Sequence, residues 1–208
     1  MADVQTSGRG RGRKKWESPK GGLWFSIILR PKVPSPRLPL LQFLAAIATR
    51  QALENETGLS VGLKWPNDLV LGNAKLGGIL LESKTIGESV AFAILGIGLN
   101  INQGKAQLPP RAISLRLVSG KQHDPRLLLR AILDQIRSSY HDLDDPSKIM
   151  EDWWHNCVHR PTKVQVTLPK DTVIGISRAI NEDGSLVIET DDRKIRKVTE
   201  GSLRLLND

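Results

Sequence analysis

The 208-residue chain is 39% hydrophobic, a content that excludes a disordered protein and allows one medium domain with a small second one. Its net charge of +8 and isoelectric point near 9.8 leave nucleic acid open as a partner, so the position of the charge matters. The lone Cys157 excludes a disulfide framework, and the lack of a signal peptide or a long apolar run predicts a soluble, cytoplasmic protein without a membrane span.

The positive charge is concentrated in residues 1–20, which hold six basic and two acidic residues and so half of the net charge. From Ser7 to Trp16 glycine alternates with basic residues, and the glycines and like charges predict a mobile loop without a regular element. Glycine backbone can approach an anion closely, and arginine can bind phosphate or carboxylate oxygens in a bidentate manner. A solvated Arg-Gly tail that binds nucleic acid nonspecifically explains the same spacing equally well.

The following residues predict a sheet with a helix packed against it. Residues 23–29 are an apolar run entered through two glycines and closed by Arg30-Pro31, which is typical of a buried strand. Apolar residues at helical spacing predict an amphipathic helix over residues 40–56. Further strands, including a hairpin in the middle of the sheet, are predicted at residues 62–65, 69–71, 76–82 and 90–100.

The C-terminal half predicts two helices and a small β domain. Residues 125–140 place leucine and isoleucine on one helical face, and residues 146–155 begin a second helix. Beyond residue 160, short alternating segments separated by turn residues predict a five-stranded small barrel. Its strands are expected at residues 164–168, 173–180, 186–189, 195–198 and 203–206. The sequence therefore predicts two domains, residues 1–159 and 160–208.

Three short motifs lie next to predicted strand ends. Residues 64–68, Lys-Trp-Pro-Asn-Asp, hold an ammonium, an amide and a carboxylate together, although a plain strand-ending turn explains such a pentapeptide more often. Lys75 enters a strand in which residues 77–78 are glycines and leave room for a ligand, yet an exposed hairpin lysine usually has no function. Residues 96–102 close another strand with two glycines and two amides, which is more often a packing feature than a cofactor site.

In order and spacing these motifs resemble the signatures of the biotin protein ligase family, from about Ala2 to the C-terminus. The family's Gly-Arg-Gly-Arg loop, followed by basic residues and a tryptophan, matches residues 8–16. Its Lys-Trp-Pro-Asn-Asp motif matches residues 64–68 without change. Residues 75–80 are similar to its Lys-Leu-Ala-Gly-Ile-Leu, and residues 96–102 to its Gly-Ile-Gly-Ile-Asn-Val-Asn.

The resemblance implies an α+β fold and an adenylating reaction. A class II synthetase-like catalytic domain, with helices and a mixed, mostly antiparallel sheet, would precede a small Src-homology-3-like β-barrel. Biotin would react with ATP to give biotinyl-AMP and pyrophosphate, and would then pass to a lysine of the biotin carboxyl carrier protein of acetyl-CoA carboxylase. ATP and Mg²⁺ are the implied cofactors and biotin is the substrate. Family members are often dimers, so a homodimer is a further expectation.

The resemblance also assigns roles to residues. Arg11 and Lys75 are the expected catalytic residues, because fixed cations are needed where negative charge develops on the carboxylate and the α-phosphate. Asp68 is the expected Mg²⁺ ligand. The residues expected to bind biotin are Gln5, Gly8, Arg9, Arg11, Lys75, Gly78 and Gly98. The residues expected to bind the nucleotide are Arg9, Arg11, Trp16, Asn67, Asp68, Lys75 and Asn102.

Two features depart from the family pattern. Family members usually begin with a strand and a helix that carry a Ser-Thr-Asn-like motif, whereas this sequence opens at a segment resembling the family's Ala-Asp-x-Gln-Thr, so an inactive ligase fragment is one alternative. Gly12-Arg13-Lys14 stands where many members have Arg-Gly-Arg, and a bidentate contact at Lys14 would be weaker. No DNA-binding helical domain precedes the catalytic part, so a biotin-operon repressor is not expected.

Two other functions stay open on the sequence alone. A nonenzymatic nucleic-acid-binding module would use the basic loop and the small barrel. A lipoyl ligase would need a roomier pocket for a long acyl chain, and the intact motif at residues 64–68 favours biotin. The histidines add little, because His155 and His159 lack the further ligands that a metal site needs.

Overall fold

A five-stranded antiparallel sheet forms the N-terminal part of the molecule. The computed structural model describes residues 1–87 and 89–206, and not the side chain of Arg13. Neighbouring strands pair in the order β1-β5-β4-β3-β2. The strands are β1 (Leu23–Leu29), β2 (Gly62–Lys64), β3 (Asp68–Leu71), β4 (Ala74–Ile86) and β5 (Ser89–Leu99).

The two faces of this sheet differ, because successive residues of a strand point to opposite sides. On one face the alternate β5 residues Leu95, Ile97 and Leu99 are buried in the hydrophobic core that the sheet shares with the helices. On the other face glycines of β4 and β5 are paired with each other. This second face therefore has few side chains and is open to a ligand.

Helices cover the core face of the sheet. The α-helices within the described residues are α1 (Leu40–Thr57), α2 (Leu115–Ser119), α3 (Pro125–Ser139) and α4 (Pro146–His155). α1 is buried along most of its length and contacts the sheet, α3 and α4. It ends at Gly58, whose φ of 72° is the left-handed conformation that commonly terminates helices. Among the described helices, none is both long and apolar enough to cross a membrane.

A second antiparallel sheet follows, with strands in the order β10-β6-β7-β8-β9. Its strands are β6 (Lys163–Thr167), β7 (Thr172–Ile180), β8 (Leu186–Thr190), β9 (Ile195–Val198) and β10 (Ser202–Leu205). Val164, Val166 and Ile188 are fully buried and belong to the same hydrophobic cluster as the first sheet. The prediction of an α+β protein with a C-terminal β domain is confirmed, and every strand here begins and ends within one residue of its predicted bounds.

The main differences between the structure and the predicted strands and helices lie at β2, β4 and α2. β2 ends at Lys64, so Trp65 begins the turn instead of ending the strand. β4 continues to Ile86, because its ladder with β5 extends beyond the apolar residues from which the strand was predicted. The sequence does not predict α2, since five residues are too few to show a helical period.

Candidate active site

A cavity of about 730 Å³ lies over the glycine-bearing face of the first sheet. The basic loop, residues 7–16, and the turn at residues 64–68 form two of its walls. The second sheet contributes residues 167–169 and 200–203 to another wall. The cleft is therefore built from segments that are far apart in the sequence.

Glycines keep the floor of the cleft free of side chains. Gly78 of β4 pairs with Gly98 of β5, and Gly96 pairs with Leu80 two residues further along the ladder. A Cβ atom at Gly78 would have only ordinary contacts, the nearest at 3.5 Å. A Cβ atom at Gly98 would lie 2.8 Å from Nε1 of Trp16, so the indole packs directly on this glycine.

The indole of Trp16 covers part of the floor. It meets Trp24 edge-on with 6.2 Å between ring centres. The ammonium of Lys75 lies 5.0 Å from the centre of the Trp16 ring. Its Nε1 is buried and has no hydrogen-bond partner among the described residues. An unpaired buried N–H is costly, so this group is suited to donate to a bound ligand.

Cations outnumber carboxylates among the described side chains that line the cleft. The basic lining residues are Arg9, Arg11, Lys14, Lys15, Lys64 and Lys75. The acidic ones are Asp68, Glu82 and Glu200. Apolar lining residues are present as well, and those on the glycine-bearing face include Leu80 and Ile94. A cationic cleft with an apolar part suits a ligand that carries both an anionic group and an apolar portion.

Lys75 and Asp68 form an ion pair inside the cleft, with Nζ and Oδ1 2.6 Å apart. Lys64 lies at the other end of the same turn, and burial lowers the pKa of its ammonium. The charge of Asp68 opposes that shift, while the charges of Lys75 and Arg111 add to it. The carboxylate of Asp68 thus balances two lysines that would otherwise repel each other.

Arg11 connects the basic loop to both halves of the molecule. Its guanidinium donates a hydrogen bond to the carbonyl of Gly201, the residue before β10. Its Cζ lies 5.8 Å from the centre of the Trp65 ring, within the range of a cation–π contact. Burial lowers the pKa of Arg11, and the nearby charges of Asp68 and Glu200 oppose that shift.

The basic loop has more regular structure than the sequence predicts. Residues 11–13 form a 3₁₀ turn, and Arg9 and Lys15 form an antiparallel bridge on either side of it. Arg9 makes an ion pair with Glu82 of β4 at 2.8 Å, and Lys14 donates to Ser202 Oγ at 3.1 Å. These contacts offset the repulsion between like charges, and they depend on tertiary structure that the local sequence does not reveal.

The structure brings ten of the eleven residues that were assigned site roles to the cleft. Asn102 is the exception, because its side chain donates to the His123 carbonyl at 2.7 Å and accepts from the His123 N–H at 2.9 Å. It fixes the loop after β5 and does not line the cavity. Asn67 does line the cavity, but its amide also donates to the Ile79 carbonyl at 2.7 Å and so links the turn before β3 to β4.

Sequence reasoning missed several lining residues. Lys64 and Trp65 belong to the recognised motif, so the motif itself could have identified them. Glu82 and Glu200 reach the cleft only through the tertiary fold, and no local pattern marks them.

Comparisons with known proteins agree with this arrangement. Residues 1–100 match the model of the Biotin/lipoate A/B protein ligase family, and residues 163–203 match that of the Biotin protein ligase C terminal domain. The biotin protein ligase from Aquifex aeolicus, solved in complex with biotin and ATP, is 30% identical, with a TM-score of 0.82 over 98% of this chain and 87% of that chain. The chain belongs to the biotin protein ligase family.

Other family members are similar over most of this chain. The bifunctional ligase/repressor BirA of Bacillus subtilis is 33% identical over 99% of this chain, which spans 65% of the length of that relative. A biotin acetyl-CoA-carboxylase ligase of Mycobacterium tuberculosis is 27% identical over 94% of this chain and 74% of its own length.

One position of β4, next to Gly78 but on the core face of the sheet, departs from the biotin protein ligase pattern. Gly77 stands where the family's Lys-Leu-Ala-Gly-Ile-Leu has alanine. A Cβ atom at this position would lie 2.5 Å from both the Gly98 carbonyl oxygen and Cδ2 of Leu99. β4 and β5 therefore approach each other too closely here to accept alanine without a shift.

Proposed function

We propose that the chain is an ATP-dependent biotin protein ligase. It would form biotinyl-AMP and pyrophosphate from biotin and ATP, and then transfer biotin to a lysine of the biotin carboxyl carrier protein of acetyl-CoA carboxylase. The observation that carries the proposal is the position of Arg11 and Lys75 beside a floor of glycines, Gly78 and Gly98, in a cleft with an apolar part. Membership of the biotin protein ligase family supports the same reaction.

In the first step a biotin carboxylate oxygen attacks the α-phosphorus of ATP. A bond forms between that oxygen and the phosphorus, and the bond from phosphorus to the bridging oxygen breaks, so that pyrophosphate leaves with the electron pair. Two anionic groups approach each other, and cations held in place lower the barrier. Lys75, paired with Asp68, and Arg11, bound to the Gly201 carbonyl, are suited to this role since neither needs a large rearrangement.

The remaining residues would bind and shield the substrates. Gln5, Gly8, Arg9, Gly78 and Gly98 would contact biotin on the glycine floor. Trp16 would cover the adenine, and Asn67 and Asp68 would lie near the nucleotide. Excluding water matters because biotinyl-AMP is a mixed anhydride that hydrolyses. The basic loop, which is held on β4 and on the second sheet, is placed to do so.

Mg²⁺ is the proposed metal, and Asp68 is its proposed ligand. Among the described residues, no cluster of three or more His, Cys, Asp and Glu side chains is placed to hold a metal ion. Mg²⁺ commonly binds through one or two carboxylates together with substrate phosphates and water. A single carboxylate beside a phosphate site fits that mode, in which the ion would neutralise charge on the phosphate oxygens.

In the second step the amine of the carrier lysine attacks the carbonyl carbon of biotinyl-AMP. A carbon–nitrogen bond forms, the bond from carbon to the phosphate oxygen breaks, and AMP leaves while the amine loses a proton. The proposal also includes a homodimer and a cytoplasmic location, which the buried free thiol of Cys157 suits.

The proposal is tested by following transfer to an isolated biotin carboxyl carrier domain. The chain is incubated with ATP, MgCl₂ and the carrier, with either biotin or lipoate, and the carrier mass is measured. A biotinyl adduct that needs ATP and the carrier lysine is expected, and lipoate should give none. A lipoyl adduct would indicate a lipoyl ligase instead. If neither adduct forms and the chain binds nucleic acid in a salt-sensitive and biotin-independent manner, the result would favour a nonenzymatic nucleic-acid-binding module.

A further inference from the structure

The imidazole of His159 is fully buried between α4 and β6. Its Nε2 accepts a hydrogen bond from the main-chain N–H of Trp65 at 3.1 Å. The ring packs edge-on to Trp154, with 5.9 Å between ring centres, and is tilted against Trp153 at 6.2 Å. His159 thus joins the end of the helical region to the first residue of the turn that follows β2.

His159 supplies an acceptor where a main-chain ladder stops. The segment after α4 runs parallel to β2, with the Leu63 N–H donating to the Asn156 carbonyl at 3.0 Å and the Val158 N–H donating to the Leu63 carbonyl at 2.9 Å. In a continuing parallel ladder the next donor, the N–H of Trp65, would bond to the carbonyl of Val158. The imidazole takes that bond instead, at the point where β2 ends.

The hydrogen bond requires one protonation state. Nε2 accepts only when it carries no proton, so the neutral ring has its proton on Nδ1. Nδ1 is buried and has no partner among the described residues, which is a costly arrangement. A side chain needed for packing alone would avoid that cost, so the acceptor at Nε2 is the property that explains a histidine here.

We propose that His159 is a positioning residue that fixes the main chain of Trp65 and thereby places Lys64 and Asp68 in the cleft. The proposal rests on the function proposed above and adds to it a residue that lies outside the cleft. Lys64 directly precedes Trp65, and Asp68 follows three residues later, where it pairs with Lys75. A shift of Trp65 would move the ammonium and the carboxylate that flank it.

Trp65 also contacts the second sheet and the basic loop. Its indole N–H donates to the Gly184 carbonyl at 3.0 Å, and its ring faces the guanidinium of Arg11. Since phosphates carry more charge than the biotin carboxylate, loss of the His159 bond should weaken ATP binding more than biotin binding.

The experiment compares His159→Leu, which removes the acceptor, with His159→Gln, whose Oε1 has a similar reach. Ile132→Ala, in the buried part of α3, is the control for a loss of stability away from the cleft. Hydrogen exchange of the Trp65 main-chain N–H and the KM values for ATP and biotin in pyrophosphate exchange are measured. In His159→Leu the N–H should exchange about tenfold faster and the KM for ATP should rise about tenfold, with the KM for biotin within about twofold. His159→Gln should restore the hydrogen-exchange rate and the KM for ATP. Ile132→Ala should leave the KM for ATP unchanged.

Different results would overturn different claims. An unchanged rate of hydrogen exchange at the Trp65 N–H in His159→Leu would refute the hydrogen bond. Faster hydrogen exchange with an unchanged KM for ATP would show that His159 has a structural role only. If the unaltered chain showed no biotin-dependent pyrophosphate exchange, the proposed function would fail. Hydrogen exchange at the Trp65 N–H would still test its hydrogen bond to His159. If His159→Leu does not fold, His159→Asn replaces it, because its shorter side chain does not reach Trp65.

Discussion

Lys75 and Asp68 join β4 to the first residue of β3 through an ion pair of 2.6 Å inside the cleft. Both side chains are partly exposed, so the pair contributes little to the stability of the fold. In the proposed reaction, the pair would hold an ammonium in place before an anionic ligand binds. The same ammonium lies 5.0 Å from the centre of the Trp16 ring, so the indole covers one side of it.

Loss of a cleft cation should slow adenylate formation strongly. Lys75→Ala or Arg11→Ala is expected to lower the rate of biotinyl-AMP formation by about 10²–10³, the usual effect of removing one fixed charge donor. Rapid-quench measurement of biotinyl-AMP checks this. Arg130→Ala, which removes an exposed cation of α3 outside the cleft, is the control and should have no effect. Undiminished rates in both cleft variants would show that these residues do not have the assigned roles.

The conformation of the basic loop should depend on Gly8. A Cβ atom there would lie 2.4 Å from the Trp16 carbonyl oxygen and 2.9 Å from Oε1 of Gln5, so Gly8→Ala must shift the loop. We expect kcat/KM for ATP to fall about tenfold or more, since small displacements of binding groups are costly. Gly104→Ala is the matched control, because its Cβ would meet only the Gln107 side chain at 3.7 Å. Equal activity in the two variants would contradict the described loop.

The thiol of Cys157 should be inert in the folded protein. Burial raises its pKa to about 12, although the His159 main chain and the charge of Arg160 oppose that shift. At pH 8 a thiol of this kind is protonated and inaccessible, so it should not react with Ellman's reagent until the protein unfolds. Rapid labelling of the native chain would show that α4 and the segment after it open in solution.

Acidification should destabilise the fold through His159. Burial, with a smaller effect from the charge of Lys64, lowers the pKa of this imidazole to about 3, whereas an unfolded histidine has a pKa near 6.5. Between these values the unfolded chain binds a proton that the folded chain does not, so the free energy of unfolding falls as the pH falls below 6.5. At pH 5 this single group should lower the free energy of unfolding by about 2 kcal/mol.

Urea denaturation of the unaltered chain and of His159→Gln at pH 7 and pH 5 measures that effect. Glutamine does not titrate, so the variant should lose about 2 kcal/mol less stability between the two pH values. The other titrating groups are common to both proteins and cancel in the comparison. Equal losses would mean that His159 is not buried in a neutral form.

The helices and strands were predictable from the sequence because the apolar residues that recur at helical or strand spacing are the ones buried in the fold. The alternating segments beyond residue 160 form the second sheet with bounds shifted by at most one residue. β2 and β4 were less well predicted. Trp65 is apolar but begins a turn, and β4 runs on through polar residues because its partner β5 continues beside it.

The site was predictable only where its residues lie in contiguous motifs. Glycines, cations and the turn at residues 64–68 identified most of the cleft. The contribution of Gly201 and Glu200, the anchoring of Arg9 on Glu82 and the contact of His159 with Trp65 all join distant parts of the chain. Asn102 shows the opposite failure, since a residue inside a motif serves the loop after β5 instead of the cleft.

Biotin-dependent exchange of labelled pyrophosphate into ATP tests the central proposal most directly, because it requires reversible formation of biotinyl-AMP and no carrier protein. We predict exchange by the 208-residue chain with biotin and MgCl₂, none with lipoate, and a strong reduction in Lys75→Ala. Exchange with lipoate in place of biotin would contradict the substrate, and absence of exchange from a folded chain that binds both biotin and ATP would contradict the adenylating function.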